Sequence, residues 1–317
     1  MILDVALFLF GLVLLYYGAE FLVSAASALA FRLGITPIIV GCTVVAFGTS
    51  APELVVSLAA VYSKNDGVSI GNIIGSNIAN LLLILGMAAV IRPIEVNRDV
   101  IKREYPIMLA AIALMVIFGF DGLLSRWDGA ILFAGMVAYM AYQFVAATRA
   151  MAQGKQVALL SELDEVDEKA SMGKNTVFLI GGIIGLALGA KVMVDSAVSI
   201  AQIYGIPDFL IGISIVAVGT SLPELATSVI AAMKGESDIS VGNVVGSNVF
   251  NTLLVLGVVA SLTQITIGEA ARLDMWIMLG TAGTIWVLML ITPRITRIHG
   301  VVFLSSYVAY MVSLFYR

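Results

Sequence analysis

Cysteine and histidine are almost missing from this chain: Cys42 and His299 are the only ones among 317 residues. One cysteine excludes a disulfide within the chain, and the two residues cannot assemble a Cys/His zinc site. Charge is scarce too. Asp, Glu, Lys and Arg make up 12% of the residues and the net charge is −4, so no basic footprint invites nucleic acid. What fills the chain is apolar, at 60% hydrophobic residues. A soluble domain of this size cannot be nearly all core, because too much of its surface must face water. The matching solvent is a lipid bilayer.

Apolar stretches near the length that crosses about 30 Å of hydrocarbon fall at roughly 2–30, 36–62, 68–91, 104–122, 128–148, 176–203, 207–233, 239–262, 272–292 and 298–316. The expectation is an all-α membrane protein of about ten spans. The first run, Leu3 to Ala30, exceeds a signal-peptide core, carries Asp4 in place of a basic start and shows no cleavage site. It reads as a retained transmembrane helix. The polar segment Gly154 to Lys174 carries Glu162, Asp164, Glu165, Asp167 and Glu168. It reads as a solvated linker rather than a regulatory cation site.

Basic residues divide unevenly between alternate connections. One side holds Arg32, Arg92, Arg98, Lys102, Arg103, Arg149, Lys155, Lys169, Lys174, Lys234, Arg294 and Arg297; the other holds Lys64, Arg126, Arg272 and Arg317. That bias of about three to one places the 154–174 linker in the cytoplasm and both termini outside, in the cell (inner) membrane.

Residues 41–90 align with 212–261 without a gap, at an offset of 171, and nearly half the positions are identical. The same offset pairs Gly11 with Gly182, Gly18 with Gly189 and Gly34 with Gly205. About five spans separate equivalent points, and an odd number means that the second copy enters from the opposite side. The chain therefore divides into a first repeat (1–150), a linker (151–174) and a second repeat (175–317), each repeat with five spans. Inverted halves of this kind are a transporter architecture, with a site at the midplane between them.

The most conserved stretches between the copies are polar. "GTSAPE" (Gly48 to Glu53) returns as "GTSLPE" (Gly219 to Glu224), and "GNIIGSNIAN" as "GNVVGSNVFN". Pro52 lacks an N–H and its ring clashes with the carbonyl of Gly48, so the helix kinks or unwinds. Carbonyls from Ala46 to Thr49 then need new partners in hydrocarbon. Thr49, Ser50 and Glu53 share a helix face, as do Thr220, Ser221 and Glu224. Asn72, Ser76 and Asn80 form one stripe; Asn243, Ser247 and Asn251 form its counterpart. Gly71, Gly75, Gly242 and Gly246 allow close backbone approach. Asn77 and Asn248 point away from the stripes, as packing or capping residues. Glu20 and Lys191, at matched positions, pair or face water near a helix end. The sum is an all-oxygen donor set around two intramembrane carboxylates. It suits hard cations such as Ca²⁺ or Na⁺, and not copper or zinc.

These two motifs resemble the alpha-repeats of the cation/Ca²⁺ exchanger superfamily, and within it the prokaryotic sodium/calcium antiporter branch. The resemblance implies ten helices, with spans two, three, seven and eight around the ions and spans one and six sliding against them on glycine-rich faces. It implies Glu53 and Glu224 as principal Ca²⁺ ligands, completed by the carbonyls of Thr49 and Thr220. Ala46, Thr49, Ser50 and Ser76 would line one Na⁺ site, and Ala217, Thr220, Ser221 and Ser247 the other. Asn80 and Asn251 would sit beside the glutamates. Some relatives, potassium-dependent ones among them, carry aspartate where this chain has Asn251, which argues against K⁺ co-transport. Proton-coupled relatives show Gly-Asn where this chain has Gly-Thr-Ser, which favours Na⁺. The expected activity is Na⁺/Ca²⁺ antiport by a monomer in membrane lipid, with no cofactor and no nucleic-acid partner. The alternatives are Ca²⁺/H⁺ exchange on the same fold and, less well matched, a passive cation channel. No nucleophile–base pair or catalytic metal motif suggests an enzyme.

Overall fold

The computed structural model describes residues 2–152, 172–204, 217–314 and 316. The acidic linker residues from Glu162 to Glu168 lie outside these, as does the start of the seventh span. The first span (Ile2–Leu33), fifth (Arg126–Ala152), sixth (Met172–Ile203), ninth (Glu269–Ile291) and tenth (Arg297–Leu314) are continuous helices. The second combines Pro37–Thr49 with Ala51–Tyr62, bent by 41°. The third runs Asp66–Ile78, then a π-helical turn Ala79–Ile84, then Leu85–Ile91. The eighth repeats this as Ser237–Val249, Phe250–Val255 and Leu256–Leu262. The fourth is Val100–Glu104, π-helical, followed by Tyr105–Phe118, and the described part of the seventh is Ala217–Gly219 and Leu222–Lys234. The fourth span begins and ends four residues earlier than its apolar run suggests. Val100 and Ile101 are buried at its start, and the chain turns at Gly119 toward Gly122, whose φ is +87°.

The connections between spans recur in the two halves at the 171 offset. Strand β1 (Ile94–Glu95) pairs with β4 (Arg294–Ile295), and β2 (Leu123–Leu124) pairs with β3 (Ile265–Thr266). Each ladder ties a connection of one repeat to a connection of the other. The fifth span starts with a reciprocal cap: the Ser125 amide and hydroxyl donate to Asp128 Oδ2 at 2.8 and 2.7 Å. The tenth starts with its counterpart, where the Thr296 amide donates to His299 Nδ1 at 3.2 Å and the His299 amide to Thr296 Oγ1 at 3.4 Å. The lone histidine is thus a helix cap.

Lipid tails are as apolar as leucine, so helices in a bilayer associate by close packing rather than by escaping water. Glycine supplies that closeness. The first and sixth spans cross where a methyl group built on Gly18 would lie 2.8 Å from the Leu186 amide nitrogen, and one on Gly182 2.8 Å from the Gly18 carbonyl. The symmetric contacts place Gly189 against Leu15 and Gly11 against the Gly189 carbonyl, each at 2.8 Å. Elsewhere Gly300 meets Gly86 and Gly257 meets Phe133, packing the tenth span on the third and the fifth on the eighth. The third and eighth spans form the centre: 78% and 83% of their most apolar windows are buried, against 22% in the first and sixth.

Gly182→Leu should therefore wedge the crossing open and lower the unfolding temperature in detergent, at a cost of about 1–3 kcal/mol. Gly185→Ala, whose added methyl group meets nothing closer than 3.4 Å, should unfold like the parent. Thermal melting followed by gel filtration reads both.

Candidate functional site

The two broken spans carry the site. Pro52 and Pro223 each sit in the first turn of the helix after the break. Their fixed φ suits that position, and they donate nothing to the turn before it. Ser50 (φ −85°, ψ 3°) and Ser221 (φ −89°, ψ 8°) are the residues at which the helix departs from regular geometry. One local expectation needs correction. The Ala46 carbonyl keeps a backbone partner, the Ser50 amide at 2.9 Å, and also faces the Thr49 hydroxyl at 3.3 Å. The break falls one turn later than that carbonyl, at the donor that Pro52 lacks. In the second repeat the Ser221 amide instead reaches the Val218 carbonyl, at 3.1 Å.

Glu53 and Glu224 are both fully buried, at 0% exposure. Each accepts from the serine of the other repeat. Ser50 Oγ donates to Glu224 Oε1 at 3.0 Å, and Ser221 Oγ to Glu53 Oε1 at 3.5 Å. Since Ser50 is three residues from Glu53 and Ser221 three from Glu224, this exchange holds the carboxylates across one small space. The other oxygen of each carboxylate, Oε2, has no hydrogen-bond partner among the described residues. No lysine, arginine or histidine forms an ion pair with either glutamate among those residues.

The asparagine stripes divide into two roles. Asn72 Nδ2 donates to the Glu53 carbonyl at 3.3 Å and to Ser57 Oγ at 3.0 Å, while its Oδ1 accepts from Thr220 Oγ1 at 3.3 Å. Asn243 does the same in mirror form, with the Glu224 carbonyl (3.2 Å), Ser228 Oγ (2.9 Å) and Thr49 Oγ1 (3.0 Å). Ser57 and Ser228 escaped the reading of the sequence. Their signal was there: both lie four residues after a glutamate and match at the 171 offset. Asn80 and Asn251, by contrast, have every side-chain polar atom buried and without a partner among the described residues. The π-helical turns place them: Leu85 N–H reaches back five residues to the Asn80 carbonyl, and Leu256 N–H to that of Asn251. Such turns often mark functional sites. Ser76 Oγ is also buried and unpartnered there, and Ser247 Oγ lies 3.4 Å from Thr49 Oγ1.

The structure thus joins Ser50 to Glu224, Ser221 to Glu53 and Thr49 to Ser247 directly, and ties Thr220 and Thr49 to the glutamate backbones through Asn72 and Asn243. It adds Ser76, Asn80 and Asn251 as buried oxygens without partners, and buries Ala46; the Ala217 side chain lies outside the described set. Asn77 bonds to Thr252 Oγ1 at 3.1 Å and Asn248 to the Val244 carbonyl at 2.7 Å, as packing residues. Glu20 and Lys191 do not meet. Glu20 pairs with Lys234 at 2.6 Å, Lys234 also reaches Ser24 Oγ at 2.7 Å, and Lys191 pairs with Asp195 at 2.9 Å.

An ionised carboxylate in hydrocarbon is costly unless paired. Two of them, each accepting from a serine hydroxyl and with no protein cation beside them among the described residues, offer the all-oxygen donor chemistry that a hard metal ion takes. Among the described residues no group of three or more His, Cys, Asp or Glu offers a different metal centre.

Residues 3–145 and 174–316 match the family described as sodium/calcium exchanger protein. The chain belongs to the sodium/calcium exchanger family. It is 33% identical to the sodium/calcium exchanger MaX1 of Methanosarcina acetivorans, over 97% of each chain. It is 40% identical to inner membrane protein YrbG of Escherichia coli, over 83% of this chain and 81% of that one. A structure of the sodium-calcium exchanger NCX_Mj, soaked with Na⁺ and Ca²⁺, superimposes with a TM-score of 0.84 at 32% identity, covering 99% of both chains. This exchanger-family chain is accordingly a multi-pass membrane protein with about ten helical spans in two inverted repeats.

Cation binding at the paired carboxylates has a direct signature. Saturating Ca²⁺ should raise the unfolding temperature of the detergent-solubilised protein, by about 2.7 kcal/mol of stabilisation at a hundredfold excess over Kd. Glu53→Gln and Glu224→Gln should each erase most of that rise. Scanning fluorimetry across a Ca²⁺ titration checks it.

Proposed function

We propose that this protein is a secondary active antiporter that exchanges Na⁺ for Ca²⁺ across the membrane by alternating access. The observation that carries the reading is the pair of fully buried glutamates, each held by the other repeat's serine and each with one oxygen left for a cation. Glu53 and Glu224 take one Ca²⁺ between them, with the carbonyls of Thr49 and Thr220. Na⁺ ions take the flanking positions, one at Ala46, Thr49, Ser50 and Ser76 and the other at Ala217, Thr220, Ser221 and Ser247. Asn80 and Asn251 offer amide oxygens at the middle. Both cargoes use the same two charges, so the pocket holds one or the other. An empty pocket carries two unpaired charges through the switch, at a cost of several kcal/mol. That penalty couples the two fluxes.

Residues 1–150 and 175–317 are the two halves of the machine, and residues 151–174 are the tether between them. The asymmetry of basic residues supports a cytoplasmic tether with both termini outside, and the name of the Escherichia coli relative supports an inner-membrane location. Every oxygen of the site comes from one chain, so a monomer is sufficient.

In proteoliposomes with pH clamped on both sides, an outward Na⁺ gradient should drive uptake of radiolabelled Ca²⁺. Uptake driven only by a proton gradient would instead establish Ca²⁺/H⁺ exchange, and flux without any counter-ion a channel. Glu53→Gln should slow Na⁺-driven uptake by at least about a hundredfold, because removing one partner of a buried charge set costs about 3 kcal/mol or more. Undiminished flux in that variant would remove the proposed ligand set.

A further inference from the structure

We propose that Asn72 and Asn243 are positioning residues that tune the cation seat of the opposite repeat, by fixing the direction of the Thr220 and Thr49 hydroxyl protons. This rests on the exchange reading above and adds to it a role for two side chains outside the ion-ligand set.

A hydroxyl has one hydrogen and two lone pairs, and only its lone pairs can face a cation. Free to rotate, it presents its hydrogen to the ion part of the time. Asn72 removes that freedom. Its amide nitrogen has two hydrogens, with acceptors at the Glu53 carbonyl (3.3 Å) and Ser57 Oγ (3.0 Å). With the amide oriented by these two contacts, its Oδ1 is turned toward Thr220 Oγ1, 3.3 Å away, and draws the hydroxyl hydrogen onto itself. The Thr220 lone pairs are then left for other neighbours. Asn243 is oriented in the same way, by the Glu224 carbonyl (3.2 Å) and Ser228 Oγ (2.9 Å), and accepts from Thr49 Oγ1 at 3.0 Å. The Thr49 hydrogen has two other neighbours, the Ala46 carbonyl at 3.3 Å and Ser247 Oγ at 3.4 Å. Both are longer than the contact to Asn243, and each is an oxygen of a flanking ion position, Ala46 of one and Ser247 of the other. Without Asn243 the proton would turn toward oxygens that the cation needs.

The arrangement crosses between repeats. Asn72 lies in the first repeat and reaches a threonine in the second; Asn243 does the reverse. Both asparagines also grip the carbonyl of their own repeat's glutamate. A packing role alone would make substitutions at Asn72 harm both ion positions alike. A positioning role makes the damage specific to the partner threonine.

Double-mutant cycles separate the two. The readout is the Na⁺ concentration for half-maximal Na⁺-driven Ca²⁺ uptake in proteoliposomes. Asn72→Leu and Thr220→Val should each raise it by about fivefold, and the double variant should be no worse than Thr220→Val alone, because both remove the same oriented hydroxyl. Thr49→Val should also raise it by about fivefold, and combined with Asn72→Leu should multiply to about twenty-five-fold, as independent sites do. Asn243→Leu should show the opposite pattern, merging with Thr49→Val and multiplying with Thr220→Val. Equal coupling of Asn72→Leu to both threonines, or to neither, would overturn the assignment. Where Asn72→Leu does not fold, Asn72→Ala and the independent Asn243 cycle carry the same test. Absence of Na⁺-driven uptake in the parent protein would overturn the exchange reading instead. The cycles would then be scored on the Na⁺-induced rise in unfolding temperature, with the same pattern required.

Discussion

The structure depends on two acidic side chains kept where water is not. Glu53 and Glu224 are both fully buried among the helices. Much of what surrounds them serves to make that tolerable. The broken spans bring short runs of hydroxyl and carbonyl groups to the same depth. The proline that follows each serine withholds one donor from the preceding turn. Serines cross from one repeat to the other to support the opposite carboxylate. These contacts leave one oxygen on each glutamate and the amides of Asn80 and Asn251 without a partner among the described residues.

Close backbone packing is the second theme, and it follows from the solvent. Burying apolar surface gains little when the surroundings are themselves apolar, so the helices must fit tightly to associate at all. Gly242 and Gly246 bring the eighth span onto the second: methyl groups built there would lie 3.0 Å from the Ile38 carbonyl and 2.7 Å from Cys42 Cα. That contact sets the Ser247 hydroxyl beside Thr49. The small residues are thus part of the site's geometry, although they contribute no ligand side chain.

The sequence revealed a great deal because the protein says most things twice. An offset of 171 residues picked out the glutamates, the prolines, the serines and the asparagine stripes together, since chance does not repeat a costly buried carboxylate in the same surroundings. Periodicity then put Thr49, Ser50 and Glu53 on one face. It could not separate Asn72 from Asn80, which share that stripe. The difference arises from the π-helical turn that begins at Ala79 and from Ser57 on another span, neither of which helical spacing encodes. The fate of the Ala46 carbonyl was misjudged for a similar reason. Proline removes one specific donor, and the neighbouring amide of Ser50 still reaches back. The pairing of Glu20 with Lys234 was hidden because matched positions suggest matched partners, and here the charges were swapped.

That swap has a consequence for the resting balance of the molecule. The glycine crossing of the first and sixth spans maps onto itself when the two halves trade places, so it weighs equally on any pair of shapes related by that trade. The Lys234–Glu20–Ser24 contact does not. The corresponding positions hold Ser63, Lys191 and Asp195, and there Lys191 turns to its own helix neighbour. The scaffold is thus pseudo-symmetric and not symmetric: this bridge is present at one end only.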